Sequence, residues 1–192
     1  DAVGIALNDV WLARIDMYSD RALQAIAGIM RCLPVFEAEG DAWAQGYALV
    51  TLGEAHGRAG NIAAMSEAYE ASHVAFRAIG NTWGEAAALN GIAGVALTRE
   101  NYAEARRLYE QSLALNRELG DVGEISKVLT NIAECARGQA DWPAAIALCD
   151  EALSMRRRIG AKFGMAMLTH NLAHAHMGQG DLARAAELFQ ES

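Results

Sequence analysis

Glycine recurs at positions 40, 80, 120 and 160, a spacing of 40 residues in a chain of 192. A period of this length constrains the fold more than any other feature. Each period is then one supersecondary unit that must bury its faces against its neighbours. Cutting after each glycine gives units 1–40, 41–80, 81–120, 121–160 and a partial unit 161–192.

The columns of this alignment agree. Position 12 of each unit holds Leu12, Leu52, Ile92, Ile132 and Leu172. Position 13 holds Ala13, Gly53, Ala93, Ala133 and Ala173, and position 25 holds Ala25, Met65, Ala105, Ala145 and Ala185. Position 32 holds Cys32, Ser72, Ser112, Ala152 and Ser192. Small residues at 13, 25 and 32 let two helix axes approach closely. Position 21 holds Arg21, Asn61, Asn101, Asp141 and Asp181. Asn and Asp there cap a helix by accepting from its first free N–H groups. Asp41, Asn81 and Asp121 cap the other helix of their units, and the pairs Asn101/Glu104 and Asp121/Glu124 have capping-box spacing. The glycine at position 40 suits the left-handed turn that ends a helix. Each unit is therefore expected to hold helix A, positions 2–18, a tight turn, and helix B, positions 22–39. Each helix is about 25 Å long.

Composition supports an all-α reading. Hydrophobic residues make up 53% of the chain and charged residues 21%, with Ala and Leu abundant and only two prolines, Pro34 and Pro143. Pro143 falls in the first turn of its helix, where a missing N–H costs little. No apolar stretch reaches the roughly 20 residues that span a bilayer, and no basic-then-apolar leader precedes the first unit. The formal net charge of −8 disfavours nucleic acid. The basic run Arg156–Arg158 sits at a predicted helix end, complementing the helix dipole. Cys32, Cys135 and Cys149 have no metal-site spacing, and Cys135 and Cys149 fall on apolar columns as core residues. An odd cysteine count without a leader points to a reducing, cytoplasmic setting. The chain begins at Asp1 and stops at Ser192 inside a predicted helix, so it reads as one helical array, 1–192, cut from a longer protein.

These columns resemble the tetratricopeptide repeat. The likeness is clearest in Asn131-Ile132-Ala133 through Ala145 and Ala152, in Asn171-Leu172-Ala173, and in Gly180-Asp181-Leu182 with Ala185. The segment Glu100–Glu110 is similar to the family's second helix. The first unit fits least, where Trp11 and Asp16 break the pattern, and Met65 departs from the small column of the second. The 40-residue period resembles kinesin light chains and the arms of bacterial signalling ATPases and transcription regulators, the latter also in Ser112–Asp121.

The resemblance implies a right-handed superhelical solenoid of antiparallel hairpins that binds protein or peptide in a groove lined by helix A. Its lining positions are 7, 10, 11, 14 and 17. By column these include Arg14, Tyr47, Val50, Thr51, Glu54, Asn90, Gly94, Leu97, Lys127, Thr130, Asn131, Glu134, Arg137, Met167, His170, Asn171, His174 and Met177. The binding candidates are Tyr47, Glu54, Asn90, Lys127, Asn131, Glu134, Arg137, His170, Asn171 and His174. Asn donates and accepts at once and so suits a peptide backbone. Lys127 and Arg137 are placed to hold a carboxylate, with Glu54 and Glu134 as competing neighbours. His170 and His174 lie four apart, a spacing that can bring two imidazoles to one metal. With no HExxH and no Glu or Cys to complete the motif, they read as groove or packing residues, with no metal or other cofactor. Trp43, Trp83 and Phe163 share position 3 and are expected between hairpins as core.

No phosphate loop, nucleophile or acid/base pair is marked out, which argues against an enzyme. The reading that follows is a protein- or peptide-binding scaffold, the regulatory or docking region of a bacterial signalling or transcription-regulator protein. A self-association domain, dimerising through its terminal helices, and a receptor domain for a signalling peptide are the alternatives. Neither nucleic acid nor membrane is an expected partner.

Overall fold

The computed structural model describes residues 1–160 and 164–192. Among the described residues there are ten α-helices and no strand. They are α1 (Ala2–Tyr18), α2 (Ala22–Glu39), α3 (Ala42–Arg58), α4 (Ile62–Ala78), α5 (Thr82–Thr98), α6 (Tyr102–Leu119), α7 (Val122–Gly138), α8 (Trp142–Arg158), α9 (Met165–Gln179) and α10 (Leu182–Glu191). The chain divides into two compact bodies, Asp1–Val95 and Ala96–Ser192.

Local sequence sets the helix ends. Asp41 Oδ1 accepts from the Ala44 N–H at 2.9 Å and Asn81 Oδ1 from the Gly84 N–H at 2.7 Å. Asp121, Asp141 and Asp181 cap α7, α8 and α10 in the same way. Asn61 makes no side-chain cap bond. Gly40, Gly80, Gly120 and Gly160 all take φ between 64° and 70°, the left-handed region in which a missing Cβ removes the steric cost.

The capping boxes form only half. Asn101 Oδ1 reaches the Glu104 N–H, but Asn101's own N–H already bonds the Ala96 carbonyl at 2.9 Å. Glu104 pairs instead with Arg107. The same happens at Asp121, whose N–H goes to the Asn116 carbonyl while Glu124 pairs with Lys127. A backbone bond that closes the preceding helix outcompetes the reciprocal side-chain bond.

In residues 1–95, α1 packs on α2 and α3, α2 on α3, and α3 on α4. The core is a set of large side chains seated against residues without side chains. A Cβ on Gly84 would stand 2.1 Å from the Phe76 ring, and one on Gly46 would stand 3.0 Å from it. Tyr69 fits in the same way between Gly53 and Gly91. Gly91 is thus a seat for an aromatic ring. Met65, the departure from the small column, is half-buried, and its sulfur sits opposite Gly57. Ser72 Oγ–H donates to the Gly46 carbonyl at 2.9 Å, tying α4 to α3.

In residues 96–192, α6 packs on α7, α7 on α8 and α9, α8 on α9, and α9 on α10. Here position 22 plugs position 18 of the following unit. Tyr102 lies over Gly138, and Trp142 lies over Gly178. Of the basic run, Arg156 turns back to α7 and donates from Nε to Ser126 Oγ at 2.7 Å. It is a packing residue as well as a charge at the helix end. Cys135 and Cys149 are buried, as their columns require. Ser192, expected in the small packed column, is instead the exposed C-cap of α10.

Candidate functional site

The first body carries an aromatic surface. Tyr47 is buried, and its ring is stacked on Trp43 with an interplanar angle of 2°. Trp11 and Trp83 approach the same ring at centroid distances of 5.3 and 6.3 Å. Trp43 and Trp83 remain 39% and 38% exposed, which corrects the expectation that their column is core. They lie over Tyr47 with one face open. Phe163, the third member of that column, lies outside the described residues.

Arg14 donates to Tyr47 Oη at 2.8 Å and lies over the Trp11 and Tyr47 rings. Burial works against its charge, and the bond to Tyr47 with the nearby Glu54 carboxylate more than offsets this. Glu54 and Asn90 are half-buried on α3 and α5. Val50 and Thr51 are buried, with the Thr51 hydroxyl bonded to the Tyr47 carbonyl.

The second body carries a polar cleft. Glu134 and Arg137 from α7 and His170, Asn171 and His174 from α9 line one open cavity of about 320 Å³. Five of the ten binding candidates thus meet in one place. Helical spacing accounts for it: residues 134 and 137, and residues 170, 171 and 174, share the faces that α7 and α9 turn to the same side. Asn131 is half-buried and Lys127 exposed, both on α7. Thr130 is buried, its hydroxyl bonded to the Ser126 carbonyl.

The charges in this body are locally matched. Arg137 grips Glu134 through two bonds, from Nε to Oε2 at 2.9 Å and from Nη2 to Oε1. The bond that Arg137 donates to Glu134 is the main reason the Arg137 pKa is raised. Lys127 Nζ reaches Glu124 at 3.0 Å. Each cation is thus taken by a carboxylate three residues before it on its own helix; for Arg137 this is Glu134, the competing neighbour named from the sequence, and for Lys127 it is Glu124.

His170 and His174 face each other, Nε2 to Nε2, at 3.1 Å. The Phe189 ring of α10 meets both imidazoles edge-to-face, at 5.3 and 5.1 Å between centroids. Phe189 was absent from the sequence candidates. Its signal lay in position 29, where Ile29, Tyr69, Tyr109 and Cys149 also stand. His176 points elsewhere, its Nδ1 lying 3.5 Å from Asp181.

A family profile described as tetratricopeptide repeat matches residues 44–118 and 124–192, more than half of the chain. No curated protein matches the sequence. A solved structure of a putative kinesin light chain from Podosopora anserina superposes with a TM-score of 0.79 at 14% identity, covering 100% of this chain and 94% of that one. The BtubC protein (BKLC) of P. vanneervenii gives 0.72 at 17% identity, covering 98% and 87%. A signal transduction ATPase with a tetratricopeptide repeat sensor, from Pyrococcus horikoshii, gives 0.83 at 17% identity, covering 95% of this chain and 28% of that one. At these identities the likeness shows the fold alone.

Proposed function

The chain belongs to the tetratricopeptide repeat family, and on that footing we propose that it is a peptide-binding scaffold whose ligand enters the cleft between α7 and α9. Tetratricopeptide repeats generally mediate protein–protein interaction, and such scaffolds are typically non-catalytic. The observation that carries the assignment is the convergence of Glu134, Arg137, His170, Asn171 and His174 on one open cavity. Asn171 offers a donor and an acceptor to an amide backbone. Glu134 and Arg137, already joined, present a neutral pair that a ligand charge of either sign can divide. Such groups orient a ligand while the apolar residues beneath hold the frame rigid. In this reading the chain is the sensing arm of a signalling or transcription regulator, and the tetratricopeptide repeat sensor of the Pyrococcus horikoshii signal transduction ATPase supports the signalling part.

Selection of a random-sequence peptide library on the native chain, counter-selected on an Arg137→Glu/Asn171→Ala variant, tests this. The expected result is a set of peptides that bind the native chain and lose binding to the variant. Peptides that bind both equally, or a selection that yields none, would contradict it.

A second reading, self-association, rests on the first hairpin. Positions 12 and 15 are buried in the second, fourth and fifth units, at Leu52, Ala55, Ile132, Cys135, Leu172 and Ala175. In the first unit Leu12 and Ile15 are 52% and 60% exposed. An apolar face of that kind favours a covering partner. A concentration-independent monomer in sedimentation velocity would dismiss this reading.

A further inference from the structure

We propose that His170 and His174 together chelate a late first-row divalent metal ion, such as Ni2+, Zn2+ or Cu2+, through their two Nε2 atoms. The two residues stand one turn apart on the exposed side of α9, and their Nε2 atoms are 3.1 Å apart. An imidazole nitrogen binds such an ion at about 2.0–2.1 Å. Two nitrogens at that radius are about 2.9 Å apart when they subtend a right angle and about 3.3 Å apart at the tetrahedral angle. The observed separation lies between these values, so the nitrogen spacing suits either geometry.

The rings are also held. They meet at 76° to each other, and Phe189 touches both. A ligand pair fixed by a neighbouring ring loses less freedom on binding than two mobile side chains. His170 is exposed and His174 half-buried, which leaves the ion a path from solvent.

Among the described residues no group of three or more His, Cys, Asp or Glu is gathered as a metal set. The chain therefore supplies two donors, and water fills the remaining positions. Glu134 shares the cleft, but Arg137 engages both of its carboxylate oxygens. Two neutral nitrogen donors select late divalent ions by ligand type and leave Mg2+ and Ca2+, which need oxygen, unbound. Without metal, one Nε2–H donates to the lone pair of the other ring, so the two rings are opposite tautomers. An ion needs the lone pair of both Nε2 atoms, so in the bound state each ring carries its proton at Nδ1. The metal site stands whether or not a peptide enters the cleft.

Isothermal titration of the full chain with NiCl2 at neutral pH, in a buffer that does not chelate, tests the proposal. The expected result is one Ni2+ per chain. His170→Ala and His174→Ala each abolish the heat, and His176→Ala leaves it unchanged. MgCl2 gives no heat. Circular dichroism of each variant checks that the helices persist. Thermal melts supply a second readout, with Ni2+ raising the Tm of the native chain and not that of the His170 or His174 variant. No heat from the native chain would overturn the proposal. So would binding that survives both single substitutions, or that His176→Ala reduces as much as they do.

Discussion

Gly84 and Gly91 set how closely α5 lies on the ring side chains of α4. A methyl group at either position would stand within 2.3 Å of an atom of Phe76 or Tyr69, and both rings are already backed by Gly46 and Gly53 on the other side. The rings cannot retreat, so Gly84→Ala and Gly91→Ala are each expected to lower stability by about 1–3 kcal/mol, the usual cost of overpacking. Urea midpoints for the two variants against the native chain measure this. The cysteines make a second prediction. Burial, with the nearby Glu134 and Asp150 charges, pushes Cys135 up to about 11 and Cys149 up to about 12. In the unfolded chain a thiol ionises near 8.5. Folding thus favours the protonated thiols, and their contribution to stability is complete below about 8.5 and declines as pH rises beyond it. Native Cys135 and Cys149 should react with an alkylating reagent at pH 8 no faster than the chain opens. All three cysteines should react promptly in denaturant.

At the scale of the helix, α2 runs through Pro34. Proline there cannot donate to the Met30 carbonyl, and both residues are exposed. Pro34→Ala is expected to stabilise the chain by about 2 kcal/mol, the helix-interior cost less the entropy that proline removes from the unfolded state. The Tm should rise, and no change would mean that the helix bends around the ring without strain. The limits of these helices were legible in the residues. Asp41, Asp121, Asp141 and Asp181 cap where their spacing placed them, and Gly40, Gly80, Gly120 and Gly160 turn left-handed after each second helix. Caps and turns depend on residues within three or four positions, so the chain states them locally. Competition was only partly legible. The columns named Glu134 as a competitor for Arg137, but spacing alone did not say that Lys127 would take Glu124, or that the Ala96 carbonyl would claim the Asn101 N–H. Each outcome ranks two available partners, and the ranking depends on geometry that a column alignment lacks. The exposure of Trp43 and Trp83 was hidden for the same reason, since a shared column fixes the direction of a side chain and not what covers it.

At the scale of the molecule, the two bodies offer different chemistry. Residues 1–95 present tryptophans around Tyr47 with Arg14 among them. Residues 96–192 present a polar cleft with a histidine pair. Large aromatic faces and arginine dominate binding energy at interfaces, so the first surface is the natural competitor for a partner. The cleft is the better candidate for reading a peptide, because its Asn and ion pair discriminate between ligands that an apolar face would accept alike. Amide chemical-shift mapping of a selected peptide on the isotope-labelled chain tests that claim most directly. The largest shifts are expected on Asn131, Glu134, Arg137, His170, Asn171 and His174. Shifts concentrated on Trp11, Trp43, Tyr47 and Trp83, with α7 and α9 unmoved, would contradict it.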